Sequence, residues 1–503
     1  MTRRDLLRLA GAGLVAESGC IAPRPEATLL PSLTTPPNLF EAILPIPTAA
    51  QPLRSDSATD YYEFTVRPAL ARILPGFDTP IWGYEGKFPG PTIEARRGRR
   101  VSLRLRNSLP VPIVNHLHGG HTAPESDGYP TDFILPDGGF PSTHMHDPRA
   151  SVVPSVREYV YENNQLPAML WYHDHRMDFT APQVWRGLAG LYIIRDTDEE
   201  NLPLPRAARE VPLVICDRSF DRDGSLRYPS IDPSLRGEPG VSHEYMGGVL
   251  GDTVLVNGAP WPRCEVANVK YRFRILNASN ARRYELALDP APAGASFVQI
   301  GSDGGLLPSP VTHRSIRISP AQRFDVIVDF SKFRVGSSVK LVNPADSGRT
   351  GQIMRFDITR TERDETSIPE KLGAVPDLRP QDAVRVREFD FSYNRGHHEW
   401  RINGKPFDPT RMDAQPRLDS TEIWRIQSDF SHPLHLHLVQ FQVLAHSGRP
   451  SPYDAGWKDT IDLGPGQAAS ILMRFSGYRG RYVFHCHNLE HEDMAMMANF
   501  EVV

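Results

Sequence analysis

Three times along the chain, apolar and polar residues alternate with the two-residue period of a half-buried strand. The runs are Val101-Ser102-Leu103-Arg104-Leu105-Arg106-Asn107, Tyr271-Arg272-Phe273-Arg274-Ile275-Leu276-Asn277 and Ile423-Trp424-Arg425-Ile426-Gln427-Ser428. Turn signals precede each run: Phe88-Pro89-Gly90-Pro91-Thr92, Val256-Asn257-Gly258-Ala259-Pro260 and Ile402-Asn403-Gly404-Lys405-Pro406. A second short apolar stretch follows each, His116-Leu117-His118, Leu286-Ala287-Leu288 and His435-Leu436-His437. Asn107 to His116 and Asn277 to Leu286 both span nine residues, and Ser428 to His435 is two shorter. A repeat of this length means repeated structural units. Each unit is large and rich in strand patterns, so the sequence predicts an all-β fold of three sandwich domains. Charged, Pro-containing stretches near Asp196–Pro205 and Thr361–Arg379 mark the boundaries, giving domains 51–198, 205–362 and 380–503.

The copies diverge where chemistry would sit. Leu286 and Leu288 stand in the middle copy where the outer copies carry His, which predicts a structural middle domain without metal. The ends of the outer copies correspond too: Trp171-Tyr172-His173-Asp174-His175 matches Val483-Phe484-His485-Cys486-His487, with Asp174 in place of the thiol.

Composition narrows the classes. For 503 residues the length prior is about three domains. The 47 prolines and 38 glycines suit many short strands joined by turns. A net charge of −4 without a basic stripe argues against nucleic acid. Thr2-Arg3-Arg4-Asp5-Leu6-Leu7 and the mild apolar run to Ala16 read as an export signal of the twin-arginine type, too short to span a membrane. Cys20 behind it offers a lipid-attachment point, against which Glu17 speaks, and residues up to about 50 read as a Pro-rich linker. Cys216 and Cys264 are free to pair in an oxidising compartment or to stay separate thiols.

Four His-x-His pairs sit at matching places in the outer domains: His116/His118, His173/His175, His435/His437 and His485/His487. On a strand each pair shares a face. Eight imidazoles meeting across a domain seam would hold several ions, and imidazole without carboxylate suits Cu or Zn. One such pair alone is more often core or solvated. Cys486 points to the other face, where His432, His491 and Met496 complete the thiolate, imidazole and thioether set of an electron-transfer copper site. His144/His146 has no third-domain counterpart and reads as a solvated loop.

These motifs resemble those of the multicopper oxidases, most of all the bacterial spore-coat laccase and bilirubin oxidase branch. The likeness runs from about Leu53 to the C-terminus and includes Ile300-Gly301-Ser302-Asp303-Gly304-Gly305. It implies three cupredoxin domains and four coppers per chain. His432, Cys486, His491 and axial Met496 resemble the type 1 ligands, and His116 and His435 those of type 2. His118, His173, His175, His437, His485 and His487 resemble the type 3 ligands. Asp127 and Glu492 resemble the acidic residues that supply protons. The implied chemistry is one-electron oxidation of a small organic donor coupled to reduction of O2 to water. Leu438 stands where many members have Gly.

Two other classes compete. A non-catalytic copper-binding protein would carry long Met- or His-rich tracts, and only Met494, Met496, Met497, His144-Met145-His146 and His397-His398 are present. A cuprous-ion oxidase of copper resistance is the second. The donor is expected over a type 1 histidine, His432 by choice, on the reading that its loop sits at the rim. Trp400 reads as a core aromatic, or as one folded back beside that site.

Overall fold

The computed structural model describes residues 26–140, 147–374, 376, 378–449 and 451–503. The export-signal residues, Cys20 and His144/His146 lie outside these. Strands dominate, as the alternation demands. In each copy the alternating run is a strand lying parallel to the long first strand of its own unit. Arg100–Asn107 pairs with Thr59–Ala71, Lys270–Asn277 with Glu210–Phe220, and Thr421–Ser428 with Ala383–Asn394.

The first and third units are each a five-stranded sheet facing a four-stranded one, and the middle unit pairs sheets of eight and five strands. Val101, Leu103 and Leu105 turn inward from their strand, and Tyr271, Phe273 and Ile275 do so from theirs. The polar face of the middle strand departs from the expected pattern. Arg272 and Arg274 are buried, held by Glu199 at 2.6 and 2.5 Å, by Asp325 at 2.5 Å and by Glu210 at 2.6 Å. Glu199 lies in a short helix, Thr197–Asn201, capped by Asp196, so the charged boundary stretch covers this face.

The Pro-rich stretch expected as a linker is laid against the body from residue 26 on. Thr28–Leu30 pairs parallel with Val249–Gly251, and Leu30 and Leu44 are buried. Backbone bonds from Leu44 to Arg263 and from Ala50 to Thr92 carry the strap from the second unit to the first. Proline lacks only its own N–H, so a strap that bonds on one side tolerates many. Cys216 and Cys264 are both free thiols, and the disulfide alternative falls away. Among the described residues no helix is long and apolar enough to cross a membrane.

Candidate metal centre

The four-stranded sheets position the histidines. Asn115–His118 lies antiparallel to Ala168–Asp174, placing His116 opposite His173. His432–Leu436 lies antiparallel to Gly480–Cys486, placing His435 opposite His485. The two sheets bring their imidazoles together, and all eight are buried. His116 and His435 meet Nε2 to Nε2 at 3.3 Å. His485 Nε2 lies 3.2 Å from that of His175 and 3.3 Å from that of His437. His118, His173 and His487 lie among them, with ring centroids 5.0 to 5.8 Å apart. Rings also stack across the seam, His118 on His435 at 3.6 Å and His116 on His437 at 3.8 Å.

Outer contacts fix which nitrogen faces inward. The Nδ1 of His116 bonds the carbonyl of Asp127 at 2.6 Å, that of His173 the carbonyl of Asp174 at 2.8 Å, and that of His435 the carbonyl of Asp459 at 2.9 Å. An N–H donated outward leaves Nε2 as the free lone pair. His118 is turned the other way. Its Nε2 meets Asp459 Oδ1 at 3.0 Å and Thr460 Oγ1 at 3.2 Å, leaving Nδ1 buried and unpaired. Both nitrogens of His487 and Nε2 of His173 are likewise unpaired. Burial holds His116, His118, His435, His437 and His487 well below the usual imidazole range, His173 at about 3 and His175 at about 4. Neutral, convergent, unsatisfied imidazoles are the donor set of a metal cluster.

On the opposite face Cys486 faces His432 Nδ1 at 3.3 Å and His491 Nδ1 at 3.5 Å, with the two imidazoles 3.2 Å apart. The helix Leu489–Asp493, capped by Asn488, delivers His491. The buried Met496 is tied back through its carbonyl, which accepts the Cys486 N–H at 3.1 Å. Burial pushes the Cys486 thiol far up, so only a bound cation would hold it as thiolate.

The expectation that His432 lies at a rim is wrong. His432 is 0% exposed and His491 2%. Trp400, itself buried, stacks on His491 at 3.7 Å, meets His432 edge-on at 5.4 Å, and donates its indole N–H to Met246 O of the middle unit. It is both the core aromatic and the neighbour of the site.

Asp127 and Glu492 are buried beside the cluster. Asp127 Oδ2 accepts from His437 Nδ1 at 2.7 Å, and burial holds its carboxyl well above the usual range. Glu492 reaches His485 Nδ1 at 3.0 Å and His175 Nδ1 at 3.4 Å. Burial pushes it up, but those two imidazoles outweigh that and hold it at about 2.

A set of residues outside the motifs also supports the cluster. Arg323 clamps Asp459 with both amino nitrogens, at 2.8 and 2.5 Å. Asp303 bonds the Arg323 N–H at 2.7 Å and lies 2.9 Å from Lys458 Nζ. All four are essentially inaccessible. Two cations and two anions thus balance behind His118 and His435. Only Asp303 lay in a stretch the sequence had marked, and nothing in the spacing pointed to the other three. Gly119 makes room for them: at φ +84°, a Cβ there would sit 2.6 Å from Asp459 Oδ2. At the matching positions of the middle unit, Leu286 and Leu288 lie in its core.

Three multicopper oxidase family models match residues 65–199, 239–354 and 379–503. The chain is 38% identical to a laccase of Bacillus subtilis (strain 168), covering 92% of this chain and 98% of that one. It is 32% identical to a bilirubin oxidase of Albifimbria verrucaria, covering 92% and 81%. A crystal structure of a laccase from Pediococcus acidilactici superposes with a TM-score of 0.81 at 32% identity, over 94% of this chain and 96% of that one. With a cluster of eight imidazoles on one face of a strand and a thiolate site on the other, the chain belongs to the multicopper oxidase family, in its laccase-like branch, and uses copper and oxygen as an oxidase.

Proposed function

We propose that the two faces of the Gly480–Cys486 strand divide the labour of a four-copper oxidase. His432, Cys486, His491 and Met496 would hold the type 1 ion, and His116 with His435 the type 2 ion. His118, His173 and His487, and His175, His437 and His485, would hold the type 3 pair. The observation that supports this is convergence: Nε2 contacts join His116 to His435 and join His485 to His175 and His437, and His118, His173 and His487 are buried among the same rings. Bound copper would supply one-electron acceptance at the thiolate site and four-electron reduction of O2 at the cluster.

The chain's own contribution is placement. Cys486 is peptide-bonded to both His485 and His487, so the two sites share a covalent path of minimum length. Burial of every ligand shields the two sites from bulk water. Asp127, whose carboxyl burial raises, and Glu492, whose carboxyl His175 and His485 lower, are an acid and a base whose environments push them apart. Asp127 would give protons to the oxygen being reduced and Glu492 would relay them inward.

The donor we favour is a small aromatic one, a phenol, an aromatic amine or a tetrapyrrole, as the names of the laccase and bilirubin oxidase relatives suggest. The absence of long methionine tracts supports it over cuprous ion. Export by the twin-arginine leader, with Cys20 as an alternative lipid anchor, belongs to the same proposal. A panel of a phenol, an azine dye, bilirubin and Cu(I), assayed under air on protein of measured copper content, tests the reading. Oxidation of the organic donors by protein holding about four coppers is expected; useful rates with Cu(I) alone would replace it with a metal-ion oxidase.

A further inference from the structure

Both histidines of the thiolate site are sealed, so an organic donor cannot touch either. The structure nevertheless provides an aromatic path outward. Trp400 lies flat on His491, with ring centroids 3.7 Å apart and 25° between planes. Tyr393 packs against Trp400, with ring centroids 4.6 Å apart and 50° between planes. Tyr393 is half-buried, and its hydroxyl meets Nδ1 of the exposed His398 at 2.9 Å. The ring of His398 stands 5.4 Å from that of His243, an exposed residue of the middle unit. Trp400 is also pinned across the domain seam by its bond to Met246 O, so the stack is held rather than loosely packed.

We propose that Trp400, with Tyr393 above it, is the port through which electrons reach the buried thiolate site. An aromatic donor docks on the surface formed by Tyr393, His398 and His243, not against His432. This rests on the organic-donor reading above. The exposed rings suit the face of a phenol or aromatic amine, and such contacts favour offset or edge-on packing. In each event the donor loses one electron, and a phenol releases its O–H proton to water. The electron would pass through the Trp400 and His491 rings to a copper held by His491 and Cys486, leaving neither ring oxidised. Four such events would supply the four electrons that, with four protons, convert O2 to two waters.

A competing docking surface exists. A cleft of about 810 Å³ between the middle and third units is lined by Ser431, Arg283 and Tyr453, among others. There Arg283 and Asp462, paired at 2.8 Å, form part of the wall near His432.

The test is anaerobic stopped-flow bleaching of the blue absorbance of the copper-loaded enzyme by 2,6-dimethoxyphenol. It is run on the parent, Trp400→Phe, Trp400→Leu, Tyr393→Leu and the cleft variant Tyr453→Ala. Resting blue absorbance, the electron paramagnetic resonance spectrum and the reduction potential are measured on each. Bleaching should slow about tenfold in Trp400→Leu and Tyr393→Leu, equivalent to ~1.4 kcal/mol of barrier, with the resting spectra and potential unchanged. Trp400→Phe, which keeps a ring on His491, should recover part of the rate, and Tyr453→Ala should match the parent. If Trp400→Leu loses copper, Tyr393→Leu decides, because Tyr393 makes no ring contact with His491. Parent-like bleaching in Tyr393→Leu, or a loss that follows Tyr453→Ala, overturns the port. A parent that Cu(I) bleaches and no phenol does overturns the organic-donor reading instead. The same variants are then scored with Cu(I), where slowed bleaching supports the port and parent-like bleaching overturns it.

Discussion

Arg323→Met removes the one cation that touches Asp459. The guanidinium makes five bonds: two to the Asp459 carboxylate and one each to the carbonyls of Asp303, Ala321 and Met169. Methionine fills similar space and donates none of them. Asp459 is left buried with His118 and Thr460 as its remaining side-chain partners. Breaking a buried ion pair by removing one partner costs about 3–5 kcal/mol. The chain has three sandwiches and need not unfold in one step, so this is read as a lower denaturation midpoint rather than a single free energy. A second effect is local. Asp459 holds His118 by its carboxylate and His435 by its carbonyl, and loss of such outer partners weakens metal binding by roughly 10–100-fold. Chelator titration followed by metal analysis and the type 2 resonance signal should therefore show cluster copper leaving earlier. The blue absorbance should persist, because none of the Arg323 bonds goes to His432, Cys486 or His491. Arg323→Lys keeps the charge but not the fork and should fall between the two. Cluster copper held as tightly as in the parent, with an unchanged midpoint, would show that the clamp does not set His118.

Cys486→Ser should abolish the blue absorbance and turnover while circular dichroism stays parental, since a serine oxygen fits the same small space; a surviving blue band would refute the site assignment. Glu492→Gln keeps size but cannot relay a proton, so reoxidation by O2 should slow by roughly a hundredfold while anaerobic bleaching by the donor is unaltered. Equal reoxidation rates across pH would remove Glu492 from proton supply.

The periodicity carried much of this. Strand parity alone put His435 and His485 on one face and Cys486 on the other, and the register bears that division out. The repeat located the three alternating strands, because each is a local pattern. What stayed hidden depends on residues distant in the chain. Arg323, Asp459 and Lys458 look like ordinary surface charges in sequence, and only the meeting of three units buries them. The misplacing of His432 has the same origin. Its own loop resembles a rim, but Met246 and Gly247 from the middle unit close over Trp400 and Asn488. Trp400 showed the limit of a two-way choice: a core aromatic and a neighbour of the site turned out to be one position.

His116 and His435 touch at 3.3 Å across 319 positions of chain, and His175 meets His485 across 310. Neither sandwich can assemble the cluster by itself. A nascent chain that has emerged only through the first two units presents His116, His118, His173 and His175 with no opposing strand. Contacts this non-local form slowly, because a long loop must close before they reward it. Cluster loading is therefore an event of the finished protein, and an ion captured early by half the set would have to be surrendered or buried wrongly. The same separation acts as a check on synthesis, since a product truncated before the third unit lacks half of the imidazoles and the Cys486 thiol.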